Sequence, residues 1–150
     1  MEEITKGNKR FTHKTVIIWS EEKEAFLCSS GGRTIEIATS RESKKHEGMW
    51  TPEELFVASV QGFIKDAFID SAKKSGFEFL SYKSKAEGIV EKAEERFTFT
   101  EIKIWPKITV VSSGHIEKAK ELIELVVKDC FISNFITCKV NVYPEIKIGS

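Results

Sequence analysis

Cysteine, proline and histidine are all scarce in this chain, with three of each among 150 residues. An odd number of widely spaced cysteines does not form a disulfide framework. The histidines, His13, His46 and His115, are far apart, and none stands at metal-site spacing from another ligand. We therefore expect neither a disulfide scaffold nor a bound metal.

An excess of charge of either sign is also missing, since 23 basic residues balance 23 acidic ones. This balance gives no electrostatic reason to expect a nucleic acid or an anionic membrane as a partner. The longest uncharged run, residues 55–64, is too short to span a bilayer. Residues 1–6 lack the apolar segment of a signal peptide. The sequence thus predicts a cytoplasmic protein.

Motifs for phosphate and cofactor binding are absent as well. The chain has no Walker A sequence, no dinucleotide fingerprint and no Gly-x-Ser-x-Gly, and Ser30-Gly31-Gly32 alone is typical of a turn. We predict no cofactor. Core-forming residues, by contrast, are plentiful: 41% of residues are hydrophobic and 11 are phenylalanine, which fits a single domain over residues 1–150.

The pattern of apolar residues predicts an α+β fold in the order β-β-β-α-β-β-α-β, with antiparallel sheets and helices packed on one side. In the strand 96–111 the apolar residues change from odd-numbered to even-numbered positions, which predicts a bulge near Thr100 and Glu101. Pro106 suggests an edge or a bend in the same strand. The expected strands are 12–19, 25–28, 34–38, 80–92, 96–111 and 138–143 continuing to 148, and the expected helices are 52–75 and 116–130.

The first of these helices has a well-defined start. Thr51 can cap it through its hydroxyl, Pro52 suits the first helical position, and Glu54 falls where a capping box places its carboxylate. Because residues 55–64 carry no charge, this helix is predicted to be buried as the centre of the domain.

The run Pro52-Glu53-Glu54-Leu55 resembles the start of the central helix in the OsmC/Ohr family, the osmotically inducible and organic hydroperoxide resistance proteins. In that family a cysteine follows, and the position ten residues after Glu53 is occupied here by Phe63. Further resemblances are Cys130-Phe131-Ile132-Ser133-Asn134, similar to the family's Cys-Pro-Val-Ser-like motif, Ala86-Glu87-Gly88 and residues 97–102.

The resemblance implies the same fold and an intertwined homodimer with two pockets at the subunit interface. It also implies chemistry in which a thiolate on the central helix attacks a hydroperoxide and becomes a sulfenic acid. A second cysteine then condenses with it to a disulfide, which a dithiol reopens. Phe63 carries no nucleophile, so the sequence predicts a protein of redox and peroxide stress that lacks two-cysteine peroxidase activity.

Two roles for Phe63 stay open from the sequence. It either shapes an apolar pocket for a small ligand or packs in a core that has lost its site. Gln61 either lines that pocket or forms a hydrogen bond across a helix pair. Gly62 costs about 1 kcal/mol against alanine in mid-helix, which suggests the close approach of a second helix.

The remaining candidates match the family only in part. Cys130 matches the second cysteine and either acts alone as a one-cysteine peroxidase or is a small buried residue on a helix face. Cys28 is the other thiol that could replace the nucleophile. The default interpretation of Cys28, and likewise of Cys138, is an ordinary buried or half-buried thiol in a strand. Glu53 matches the family glutamate or simply stabilises the first helical turn. The family's arginine corresponds to either Arg33 or Arg41.

Overall fold

The computed structural model describes residues 2–5, 8–19, 25–38, 48–129 and 134–149. The chain divides into two compact units, Met1–Pro52 and Glu53–Ser150, here called the N-terminal and C-terminal units. Each is described by itself.

The N-terminal unit is made of antiparallel strands. β1 (Glu2–Thr5) pairs with β2 (Asn8–Phe11), and β3 (Thr15–Trp19), β4 (Ala25–Ser29) and β5 (Thr34–Ile37) form a meander in that order. The three strands of the meander lie close to the predicted ranges 12–19, 25–28 and 34–38. β1 and β2 were not predicted, because half of their residues are charged and give no alternating pattern.

The C-terminal unit contains both helices and the larger sheet. Its elements are α1 (Pro52–Ser75), β6 (Ser81–Ala93), β7 (Arg96–Val110), α2 (Ile116–Asp129), β8 (Lys139–Val142) and β9 (Glu145–Ile148), with one 3₁₀ turn at Ser113–His115. The limits of α1 are the predicted 52–75. Gly76, just after its end, adopts the left-handed conformation that ends a helix.

The sheet of this unit has β7 as its central strand. β6 pairs antiparallel along one side of β7, while β8 and β9 lie end to end along the other side. Both β8 and β9 run parallel to β7. The α+β fold is therefore confirmed, but the sheet is mixed rather than purely antiparallel, since the α2 crossover returns the chain in the direction of β7.

The predicted bulge lies at Thr100. Ile89 pairs with Glu101 and Val90 with Phe99, so Thr100 is the extra residue on β7, and its hydroxyl donates to Glu91 Oε1 at 2.8 Å. Pro106 does not mark an edge, because it lies in central β7 opposite Ser84. Neither β8 nor β9 pairs with Pro106, so its missing N–H breaks no ladder on that side.

The core of the C-terminal unit lies between the helices and one face of the sheet. α1 contributes Val60, Ile64, Phe68 and Ala72, and α2 contributes Ala119, Leu122, Ile123 and Val126. From β7 the even-numbered residues Ile102, Ile104 and Ile108 are fully buried against them. No helix within the described ranges is both long and apolar enough to cross a membrane.

Candidate functional site

Phe63, the residue at the position of the family cysteine, lies on the side of α1 that faces away from this core. Its side chain is 36% exposed, whereas Ile64 beside it is almost fully buried. The ring stacks on Phe135, with centroids 5.7 Å apart and planes 15° from parallel. Phe135 is 65% exposed. The two rings thus form an aromatic pair at the surface of the chain, named the Phe63–Phe135 pair below.

The helix surface around this pair is only partly covered in the single chain. Within residues 55–64 only Val60 and Ile64 are buried. A Cβ atom added at Gly62 would meet nothing within 4 Å. The glycine is therefore not required by any neighbour in the described part of its own chain.

Gln61 lies on the opposite side of α1 from Phe63, since two residues span about 200° around a helix. Its Oε1 accepts a hydrogen bond of 2.7 Å from the Ser84 hydroxyl of β6. The structure therefore does not bring Gln61 and Phe63 together at one surface within this chain. The Ser84 contact was not foreseen, because the partner strand of α1 is not readable from local sequence.

Tyr82 is a neighbour of Ser84 on the same face of β6. Its ring packs against Phe68, with centroids 5.6 Å apart. Its buried hydroxyl has no hydrogen-bond partner among the described residues. Burial raises the pKa of Tyr82 to about 12, an effect that the nearby Ser84 hydroxyl opposes. Polar groups thus lie inside the contact between α1 and β6, contributed by Tyr82, Ser84 and Gln61.

Glu53 lies in the first turn of α1, where it is half-buried beside the exposed Glu54. Carboxylates in this position interact favourably with the positive end of the helix dipole. Arg33 is exposed and follows a turn in which Ser29 N–H donates to its carbonyl at 3.0 Å. Arg41 lies outside the described residues. The choice between the two arginines stays open.

Two of the three cysteines lie within the described residues, one in each unit. Cys28 is half-buried on β4, with its sulfur 3.3 Å from the Thr34 hydroxyl. Cys138 is half-buried just before β8 and packs against the core, and burial raises the pKa of its thiol. Cys130 lies outside the described residues, as do Phe131, Ile132 and Ser133. Within the described ranges, no group of three His, Cys, Asp or Glu side chains is arranged to hold a metal ion.

We predict that Cys138 reacts slowly with iodoacetamide at pH 7.5, because a raised pKa leaves a smaller fraction as thiolate. Its alkylation rate should still be rising with pH above 9, the ordinary pKa of the thiol. Peptide mapping by mass spectrometry at several pH values measures this rate at Cys138 separately from the other thiols. A rate that levels off below pH 8 would contradict the expected direction.

An open groove of about 190 Å³ lies between α2 and the junction of β8 with β9. It is lined by Ile123, Glu124, Val127, Lys128, Val142 and Pro144. Neither Phe63 nor Gln61 belongs to its lining, so this groove is separate from the Phe63–Phe135 pair.

Comparison with known proteins gives a consistent result for the fold. The family model described as "OsmC-like protein" matches residues 45–145. An OsmC-like protein of unknown function from Vibrio cholerae superimposes with a TM-score of 0.76 at 20% identity, covering 91% of this chain and 100% of that one. No curated protein sequence matches the chain.

Two hydroperoxide resistance proteins have the same fold. That of Elizabethkingia anophelis is 19% identical with a TM-score of 0.66, over 94% of this chain and 97% of the other. OhrB of Bacillus subtilis is 20% identical with a TM-score of 0.61, over 91% and 98% of the two chains. At this level of identity the likeness shows the architecture, and the chemistry has to be argued from the residues.

Proposed function

Because the chain belongs to the OsmC-like protein family, we propose that it is a homodimeric relative of the hydroperoxide resistance proteins that binds a small apolar ligand instead of reducing peroxides with two cysteines. The observation that carries this proposal is the Phe63–Phe135 pair. At the position where the resemblance implies a nucleophilic thiol, the chain presents two stacked and partly exposed aromatic rings.

The aromatic pair favours an apolar ligand for a physical reason. Exposed aromatic rings gain about 25 cal/mol for each Å² of apolar surface that a ligand removes from water. They offer no charge or strong hydrogen-bond donor to a polar substrate. Gln61 already bonds to Ser84, so its amide is not available to a ligand at the family position on α1.

A second copy of the chain would complete this site. The uncovered side of α1 combines the uncharged run with open space at Gly62, which suits the close packing of a second helix. The N-terminal unit adds another uncovered surface, since Val16, Ile17, Ile18 and Trp19 of edge strand β3 are each more than half exposed. Exposed apolar surface of this extent is typical of an interface.

We expect light scattering to give a particle of twice the chain mass of 17.0 kDa. Gly62→Leu should shift this particle toward the monomer, because the new side chain fills the space that a partner helix needs. The Cβ atom of the new side chain meets nothing within 4 Å in the described part of its own chain, so the monomer should stay folded by circular dichroism. A wild-type monomer at micromolar concentration would overturn the dimer.

The ligand is tested with 1-anilinonaphthalene-8-sulfonate as an apolar probe and with native mass spectrometry for co-purified molecules. Phe63→Ala should weaken probe binding about fivefold or more, because half of the Phe63–Phe135 pair is removed. Phe97→Ala is the matched control, since Phe97 is 58% exposed at the far hairpin of β6 and β7. Equal effects of the two variants, or no probe binding, would exclude the proposed ligand site.

A further inference from the structure

The outer face of the C-terminal sheet, the face turned away from both helices, carries an unusual distribution of charge. Along residues 101–108 of β7 the even-numbered residues are buried in the core, so the odd-numbered residues of this part point to the outer face. The bulge at Thr100 reverses this alternation in the residues before it. The register of the neighbouring strands places their odd-numbered residues on the same face.

Lysine predominates on this outer face. On the part of the face formed by residues 81–87, 101–107 and 139–147, six lysines stand against three glutamates, which gives a net charge of +3 in a chain whose total charge is zero. Beyond this part, Glu91 and Arg96 add one charge of each sign. The lysines are Lys83, Lys85, Lys103, Lys107, Lys139 and Lys147, and the glutamates are Glu87, Glu101 and Glu145.

Each glutamate is matched to a lysine. The Lys85–Glu87, Lys103–Glu101 and Lys107–Glu145 pairs have N–O distances of 3.6, 4.0 and 3.9 Å. Lys83, Lys139 and Lys147 have no ion pair among the described residues. The positive charge of the face is therefore not neutralised by its own acids.

Two lysines of this face stand directly opposite each other in the sheet. Lys83 on β6 is the register partner of Lys107 on β7. Like charges directly opposite in an antiparallel pair are destabilising. A bound anion between them would remove that repulsion.

Trp105 lies at the centre of the face. Lys85 approaches one side of its ring, with Nζ 5.9 Å from the ring centroid. Tyr143 stacks on the other side, with centroids 5.8 Å apart and planes 27° from parallel. Tyr143 is 47% exposed, so the aromatic stack is open to solvent at its tyrosine end.

We propose that this outer face binds single-stranded nucleic acid. Binding of single strands without sequence preference combines cationic groups for the phosphates with aromatic rings on which bases stack, and both features are present here within one flat face. Lys83 and Lys107 contact phosphates, and Tyr143 extends the stack of Trp105 to a base.

Other anionic ligands fit the face less well. An open sheet surface cannot enclose a single nucleotide, whereas an extended polymer can follow it. A membrane surface would be met by several protruding aliphatic side chains, whereas residues 81–89, 101–107 and 139–147 place only Ile89 on the outer face, at its end. The balanced composition conceals the charge because the opposing acids lie elsewhere in the chain.

The test is fluorescence anisotropy of a labelled 15-nucleotide oligothymidylate with the full chain at 50 to 200 mM salt. We expect micromolar binding and a slope of about −2 in the logarithm of affinity against the logarithm of salt, as three neutralised phosphates imply. The double variant Lys83→Gln/Lys107→Gln should weaken binding about tenfold and flatten that slope. Tyr143→Ala should weaken binding about tenfold with the slope unchanged, since it removes stacking alone.

The matched control is Lys118→Gln/Lys120→Gln on α2, which removes the same charge from another surface. In each double variant one lysine has an ion pair, Lys107 with Glu145 and Lys120 with Glu117. The control should stay within twofold of wild type. Equal weakening by both double variants, no binding at 100 μM protein and 50 mM salt, or binding only to phosphatidylserine-containing vesicles would each overturn the proposal.

Discussion

Purified protein mixed with cumene hydroperoxide and dihydrolipoamide is expected to consume peroxide no faster than the same mixture without protein. Phe63 supplies no thiolate at the position that the family resemblance assigns to the nucleophile. Of the described thiols, Cys138 is half-buried with a raised pKa, and Cys28 is half-buried beside the Thr34 hydroxyl. Neither has the exposed, electropositive surroundings of a reactive cysteine.

The assay follows peroxide loss and dithiol oxidation at several protein concentrations. A variant with all three cysteines changed to serine is the control for consumption that does not involve protein thiols. Rapid turnover proportional to protein concentration would refute the proposed loss of peroxidase activity. Cys130→Ser and Cys28→Ser would then show which thiol acts as a one-cysteine peroxidase.

Gly88→Ala is expected to lower the free energy of unfolding by about 1 to 3 kcal/mol, the usual cost of forcing extra atoms into a packed interior. An added Cβ would stand 2.5 Å from Val57 Cγ2 of α1 and 2.8 Å from Phe99 Cε1 of β7. The Phe99 ring is itself held against Phe56, with centroids 4.7 Å apart. The helix therefore packs so closely on β6 that only glycine fits at this position.

Urea denaturation of wild type and variant measures the effect. Gly114→Ala is the matched control, because a Cβ there would meet only the Ser112 hydroxyl at 3.9 Å, and it should change stability by less than about 0.5 kcal/mol. Equal stability of Gly88→Ala and wild type would show that α1 can move away from β6 at no cost.

The limits of α1 and the contact made by Phe63 show which features local sequence predicts and which it does not. The limits of α1 follow from Thr51, Pro52 and Gly76, residues that act on the helix ends beside them. The bulge at Thr100 follows from the change of apolar phase within one strand. In contrast, the stacking of Phe63 on Phe135 joins residues far apart in sequence, and no short pattern encodes it.

The sequence by itself determined the α+β class, the family and the absence of a thiol at position 63, because periodicity, capping and motif residues depend only on near neighbours in the chain. Only the tertiary structure decided that Gln61 points to Ser84 while Phe63 faces outward, since the packing of the sheet on one side of α1 determines which of its residues are buried. It also decided that β8 and β9 run parallel to β7. The sheet gathers lysines from four strands onto one face, whereas a composition of equal charges gave no reason to expect an anionic partner.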